Sequence, residues 1–223
     1  MKKIVLVLGV MVLLMGTGGS VQRRTNMVDL VLVDWQTIIN AESYGLKYID
    51  NTNAMILVMS LPDELGGLKS KGIINNYEKS SHGLGYSKKY ILDDKDMYAD
   101  VYVYHMRMDD LVDGIESDRL EDIYYRTIDE IHSMEGRLYS GITKIELKDV
   151  MIDGLAFKKY AVKALRLGEN SKDIVSEMLV TIYNGVILKV RVSYATDEVA
   201  NGDEIVGKFM ADLAGHLGGK SGN

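Results

Sequence analysis

The sequence predicts an α+β fold: an antiparallel sheet made of several hairpins, with a mid-chain helix and a C-terminal amphipathic helix packed on it. Three observations carry this. Two runs of alternating residues flank the acidic turn Asp93-Asp94-Lys95-Asp96, and two more flank Asn184-Gly185, a dipeptide that suits the positive backbone angles of a tight hairpin. Between the two hairpins the apolar period lengthens. Leu120, Ile123, Tyr124, Ile128, Ile131, Met134 and Leu138 recur at helical spacing, as do Ile205, Val206, Phe209, Met210, Leu213 and Leu217 near the end.

The hairpin over residues 83–108 organises the rest. Leu92 opposes Met97 whether its loop holds two residues or four. One face then carries Leu84, Tyr86, Lys88, Tyr90 and Leu92 against Met97, Ala99, Val101, Val103 and His105. The other carries Gly85, Ser87, Lys89 and Ile91 against Tyr98, Asp100, Tyr102 and Tyr104. Lys89 meets Asp100 as an opposite charge, and Gly85 leaves room for the ring of Tyr104. A slip of one residue would break both pairings.

Residues 1–20 read as a secretory signal peptide: basic Lys2 and Lys3, the apolar run from Ile4 to Met15, then small residues, with cleavage expected after Ser20. That run is short for a membrane-spanning helix. The expected compartment is periplasmic or extracellular, with no membrane span after cleavage. The chain has no cysteine, which excludes disulfides, thiol catalysis, lipid attachment through a thiol and cysteine metal sites. The formal charge is −6, and loss of Lys2 and Lys3 makes it two units more negative. An acidic exported chain is a poor partner for nucleic acid.

In chain order, residues 21–29 are a polar linker and residues 30–217 one α+β domain. Residues 30–39 suit a strand or a short helix. Residues 46–60 read as two strands split by Asp50-Asn51-Thr52-Asn53 and stopped by Pro62, the one proline, and residues 68–77 as another strand. Ser117 is placed to cap the mid-chain helix, with Asp118, Glu121 and Asp122 in its first turn. Residues 142–150 form a strand that turns at Asp153-Gly154. Residues 155–167 suit a strand or a helix face, and the bracketing turns favour the strand. Residues 218–223 form a flexible tail.

Signal peptide, antiparallel meander, mid-chain helix and a closing strand–strand–helix together resemble the exported PsbP-like α+β fold. The stretch from Leu61 to Tyr90, followed by YADVYVYHM, is similar to exported bacterial proteins with this layout. The resemblance implies a fold and a non-enzymatic default, and it carries over no functional residue.

No chemistry-bearing motif stands out. Residues 214–221 fit a permissive phosphate-loop pattern, but a helix precedes them and nothing helical follows. His82, His105, His132 and His216 lack the paired spacing of zinc ligands and read as surface histidines beside acids. The acids of the 93–96 turn lack the glycine and distal glutamate of a calcium loop and read as a solvated turn. No G-x-S-x-G elbow occurs. No metal and no cofactor is expected.

Fourteen tyrosines against two phenylalanines and one tryptophan suit sheet faces that are apolar yet wet. If both hairpins share one sheet, Lys189 and Arg191 emerge beside Tyr98, Tyr102 and Tyr104. These five residues form the candidate ligand site. The competing expectation is that the two cations pair with helix acids such as Glu121 or Asp122. The functional expectation is a non-enzymatic exported protein binding a small ligand or an envelope protein, and the alternative is an envelope hydrolase with a dispersed active site.

Overall fold

The structure, a computed structural model, describes residues 52–168 and 171–219. The readings of residues 1–20, 21–29 and 30–39 lie outside the described residues. Eight antiparallel strands form one sheet in the order β1-β2-β3-β4-β8-β7-β6-β5. They are β1 (Glu64–Leu65), β2 (Leu68–Asn76), β3 (Tyr86–Ile91), β4 (Met97–Tyr104), β5 (Tyr139–Ile152), β6 (Leu155–Arg166), β7 (Lys172–Tyr183) and β8 (Val186–Ala195). Helices α1 (Thr52–Ser60), α2 (Asp118–His132) and α3 (Gly202–Gly218) complete the α+β fold. Strands β1–β4 run as one meander and β5–β8 as another. They meet where β4 pairs with β8, so the two hairpins share one sheet.

Both hairpin registers match the sequence reading. Lys89 opposes Asp100, Leu92 N–H donates to Met97 O (3.0 Å), and Tyr183 opposes Val186 across Asn184-Gly185. Residues 155–166 are the strand β6. Residues 52–60 are the exception: they form helix α1 where a strand was expected. The run is apolar throughout, so its period does not choose between helix and strand, and packing decides. Ala54, Leu57, Val58 and Leu61 lie on one helical stripe and are buried, with α1 set against β3 and β4.

Two layers cover the sheet. On one face, Leu120, Ile123, Tyr124 and Ile131 of α2 pack on Tyr104, Tyr160, Val162, Met178, Val180, Ile182 and Ile187. Ser117 sits at the N-cap position without a side-chain cap bond, and its carbonyl accepts from Glu121 N–H (3.1 Å). On the other face, the Phe209 ring of α3 meets Tyr90 edge-on at 5.3 Å, and Tyr183 Oη donates to Leu217 O (2.8 Å). Helix α3 runs one residue into the segment read as tail, and Gly219 N–H closes it on Gly215 O (3.0 Å).

The acidic turn is not merely solvated. Asp96 binds Arg166 through both guanidinium nitrogens and Lys172 at 3.2 Å, and its N–H donates to Glu198 (2.9 Å). Arg166 and Lys172 together hold the Asp96 carboxyl below its ordinary value of 3.8. A carboxylate depressed in the folded state stabilises above its unfolded pKa, and the gain is lost as pH falls through the folded value. Asp96→Asn should therefore be less stable than the wild type at pH 7, with the gap closing below about pH 4. Chemical denaturation across pH checks this, and a gap constant down to pH 2 would contradict it.

Gly85 has φ +68°, and a Cβ there would lie 2.0 Å from Val103 O and 2.7 Å from Tyr104 Cα. The obstacle is therefore the backbone of β4, not the Tyr104 ring that the sequence suggests. Gly85→Ala should cost about 2–4 kcal/mol, and Tyr104→Ala should not relieve it in a double-mutant cycle. Recovery of more than half the loss would show that the ring is the obstacle after all.

Candidate functional site

Strand β4 sends Tyr98, Asp100, Tyr102 and Tyr104 to the face beneath α2, and β8 sends Lys189 and Arg191 to the same face. The register opposes Tyr102 to Lys189 and Asp100 to Arg191. Lys189 Nζ lies 5.1 Å from the centre of the Tyr102 ring and 5.5 Å from that of Tyr104. A cation over aromatic faces gains from the ring quadrupole, most when water is excluded. Tyr77 stacks on Tyr102, with ring centres 6.3 Å apart.

Tyr102, Tyr104 and Lys189 line a chamber of about 270 Å³ with Tyr77, Leu84 and Met106 of the sheet side and Ile123, Arg126, Thr127 and Glu130 of α2. A smaller space of about 70 Å³ adjoins it, sharing Tyr102, Thr127, Glu130 and Lys189 and adding Arg191, Ile131, Met134 and Met178. The structure thus brings Tyr102, Tyr104 and Lys189 together in the main chamber. Arg191 reaches only the inner space, where its guanidinium donates to Tyr139 Oη (3.1 Å) and Ser176 Oγ (3.3 Å). Tyr98 lines neither space, and its ring carries Lys89 at 4.5 Å.

Among the described residues, five lysines are at least half-buried: Lys88, Lys158, Lys159, Lys172 and Lys189. Four of them have a carboxylate within reach. Lys88 has Asp63 at 2.8 Å, Lys158 has Asp149 at 3.8 Å, Lys159 has Glu146 and Glu177 at 2.9 and 2.8 Å, and Lys172 has Asp96 at 3.2 Å. Lys189 has no carboxylate within 4.0 Å and no hydrogen bond among the described residues. The expected pairing with Glu121 or Asp122 does not form. The acid whose field reaches Lys189 is Glu130, in the last turn of α2.

Burial pushes the Lys189 amine below its ordinary value, Glu130 opposes that, and Arg191 adds to it. Burial likewise pushes the Tyr102 and Tyr104 phenols up. Neither hydroxyl has a hydrogen-bond partner among the described residues. The chamber therefore combines the withdrawn cation Lys189 and the phenol donors of Tyr102 and Tyr104 with an apolar wall of Leu84, Met106 and Ile123, and Arg126 and Glu130 of α2 stand at its exposed side.

Two other features compete for attention. A cleft of about 730 Å³ lies on the opposite face between β5–β7 and α3, with Glu146, Lys148, Lys159, Glu177 and Asp203 along it. Its withdrawn charges are already matched, with only the exposed Lys163 outside the pairs: Lys159 bridges Glu146 and Glu177, Lys148 meets Glu146 at 2.5 Å, and Tyr194 Oη binds Asp203. The second feature is a histidine pair that sequence reasoning missed. The His82 and His105 rings stand 5.6 Å apart, both withdrawn from solvent, whereas surface histidines were expected. Glu78 accepts from His82 Nδ1 (2.8 Å) and from the N–H groups of Gly83 and Gly85, which fixes this loop. Among the described residues no three His, Asp or Glu side chains stand together as metal ligands.

No protein-family model matches the chain, and no curated protein matches it. Among solved structures, the chain is similar to the cyanobacterial PsbP (CyanoP) of Synechocystis sp., at 15% identity and a TM-score of 0.41, over 66% of this chain and 85% of that one. It is also similar to a Pseudomonas aeruginosa protein of unknown function, at 11% identity and a TM-score of 0.33, over 55% of this chain and 86% of that one. The first is of the kind that the sequence pattern resembles. Neither likeness extends to a site residue or a role. Among the described residues no helix is long and apolar enough to cross a membrane.

Because the field of Glu130 is what keeps the Lys189 amine from falling further, Glu130→Gln should lower the pH at which Lys189 titrates. NMR of isotope-labelled lysine side chains reads this directly, and an unchanged titration would remove Glu130 from the site.

Proposed function

We propose that this chain is an exported, non-enzymatic binding protein of the cell envelope, and that its ligand is a small apolar anion held in the chamber beneath α2. The observation that carries the reading is Lys189, the one half-buried lysine among the described residues with no carboxylate within 4.0 Å. A cation withdrawn from water without a partner is costly, so an anion that completes it is favoured. The phenols of Tyr102 and Tyr104 add donors, and Leu84, Met106 and Ile123 accept an apolar body. The chamber's size, about 270 Å³, suits a small molecule better than a protein segment. Export rests on the leader-like residues 1–20.

Benzoate is a suitable probe, being a carboxylate on a flat apolar body. Lys189→Met should weaken its binding by about 10- to 100-fold, the worth of one hydrogen bond to a charged group. Lys163→Met, in the opposite cleft, should leave it unchanged. Wild-type binding should fall as pH rises through the Lys189 pKa, which lies below 10.5, because the neutral amine no longer attracts the carboxylate. Calorimetry checks each point, and equal affinity in wild type and Lys189→Met would remove Lys189 from the proposed site.

A further inference from the structure

The anion reading uses the charged form of Lys189 and leaves the neutral form unused. A lysine amine attacks a carbonyl carbon only when unprotonated, which burial without a carboxylate in direct contact favours. Lys88, Lys158, Lys159 and Lys172 fail this condition through the acids beside them. Lys189 meets it, and its amine opens on a chamber with an apolar wall. The charged groups facing that amine are Glu130 and Arg126 of α2 and Arg191 of its own strand, and the phenols around it are Tyr77, Tyr102 and Tyr104. Burial and Arg191 favour loss of the proton, and Glu130 opposes it.

We infer that the chamber captures small apolar aldehydes or ketones as an imine on Lys189 Nζ, a proposal that rests on the same chamber being the ligand site. The nitrogen lone pair forms the C–N bond while the carbonyl π pair moves to oxygen, which takes up a proton. The nitrogen gives up one proton, leaving a neutral carbinolamine. Its hydroxyl takes up a second proton and leaves as water while the nitrogen lone pair closes the C=N bond. The iminium then gives up its remaining N–H proton. Amine and carbonyl become imine and water, with no oxidant or reductant. Glu130 lines the chamber and can carry both protons in turn from nitrogen to oxygen. The Tyr102 and Tyr104 hydroxyls, without partners among the described residues, can donate to the carbonyl oxygen while the apolar body rests on Leu84, Met106 and Ile123.

The test exposes the folded full-length chain to benzaldehyde and cyanoborohydride at pH 7, which fixes any imine as a benzyl amine, and maps the modified lysines by mass spectrometry. Lys189 should be labelled at least about tenfold faster than exposed Lys71 or Lys144, because burial favours its neutral amine and the chamber holds the aldehyde beside it. Saturating benzoate should slow labelling at Lys189 and not at the other two. Labelling of Lys189 no faster than at Lys71 overturns the imine. If benzoate binding is then intact, the chamber survives as an anion site. Selective labelling without benzoate binding would keep the imine and discard the anion preference.

Discussion

One pairing between strands far apart in sequence supports everything proposed for this chain: Tyr102 of β4 against Lys189 of β8. It joins the two meanders into one sheet and sets a lysine between two tyrosine rings. A shift of one residue would turn Lys189 to the face where Leu188, Val190 and Val192 are fully buried, and would bring those residues out. The apolar alternation of β8 therefore specifies the position of the cation. The site is a by-product of the register that builds the core.

The protein treats its withdrawn cations in two ways. Lys88 is buried but fully served, by Leu61 O at 2.7 Å and Asp63 at 2.8 Å. Lys189 has only ring faces and the field of Glu130. Ring faces return about 0.5–2 kcal/mol, whereas removing an ion from water costs several kcal/mol. The balance leaves Lys189 under-compensated. That deficit drives it toward either an anionic partner or the neutral amine, and each outcome is a form of ligand capture.

Much of the fold was legible because its strongest signals are local. Asn184-Gly185 and the Lys89–Asp100 pair set two registers, and the 3.6-residue stripes set α2 and α3. Helix α1 was not legible, since an unbroken apolar run has no period and only packing on β3 and β4 selects the helix. For the site, strand alternation put Tyr98, Tyr102, Tyr104, Lys189 and Arg191 on one face. It could not say where α2 would cross them. That crossing encloses Tyr102, Tyr104 and Lys189, leaves Tyr98 outside, and presents Glu130 in place of Glu121 or Asp122. The His82–His105 pair also leaves a readable signal in the sequence. Continuing the hairpin register sets His105 against Leu84, two residues from His82.

The central claim is that ligands enter beneath α2 and meet Lys189. Crystals grown with 4-bromobenzoate test it most directly, because bromine marks its own position by anomalous scattering. The account predicts bromine among Leu84, Met106 and Ile123, with the carboxylate turned to Lys189 and the phenols of Tyr102 and Tyr104. Bromine in the cleft against α3, with the chamber beneath α2 unchanged, would contradict it.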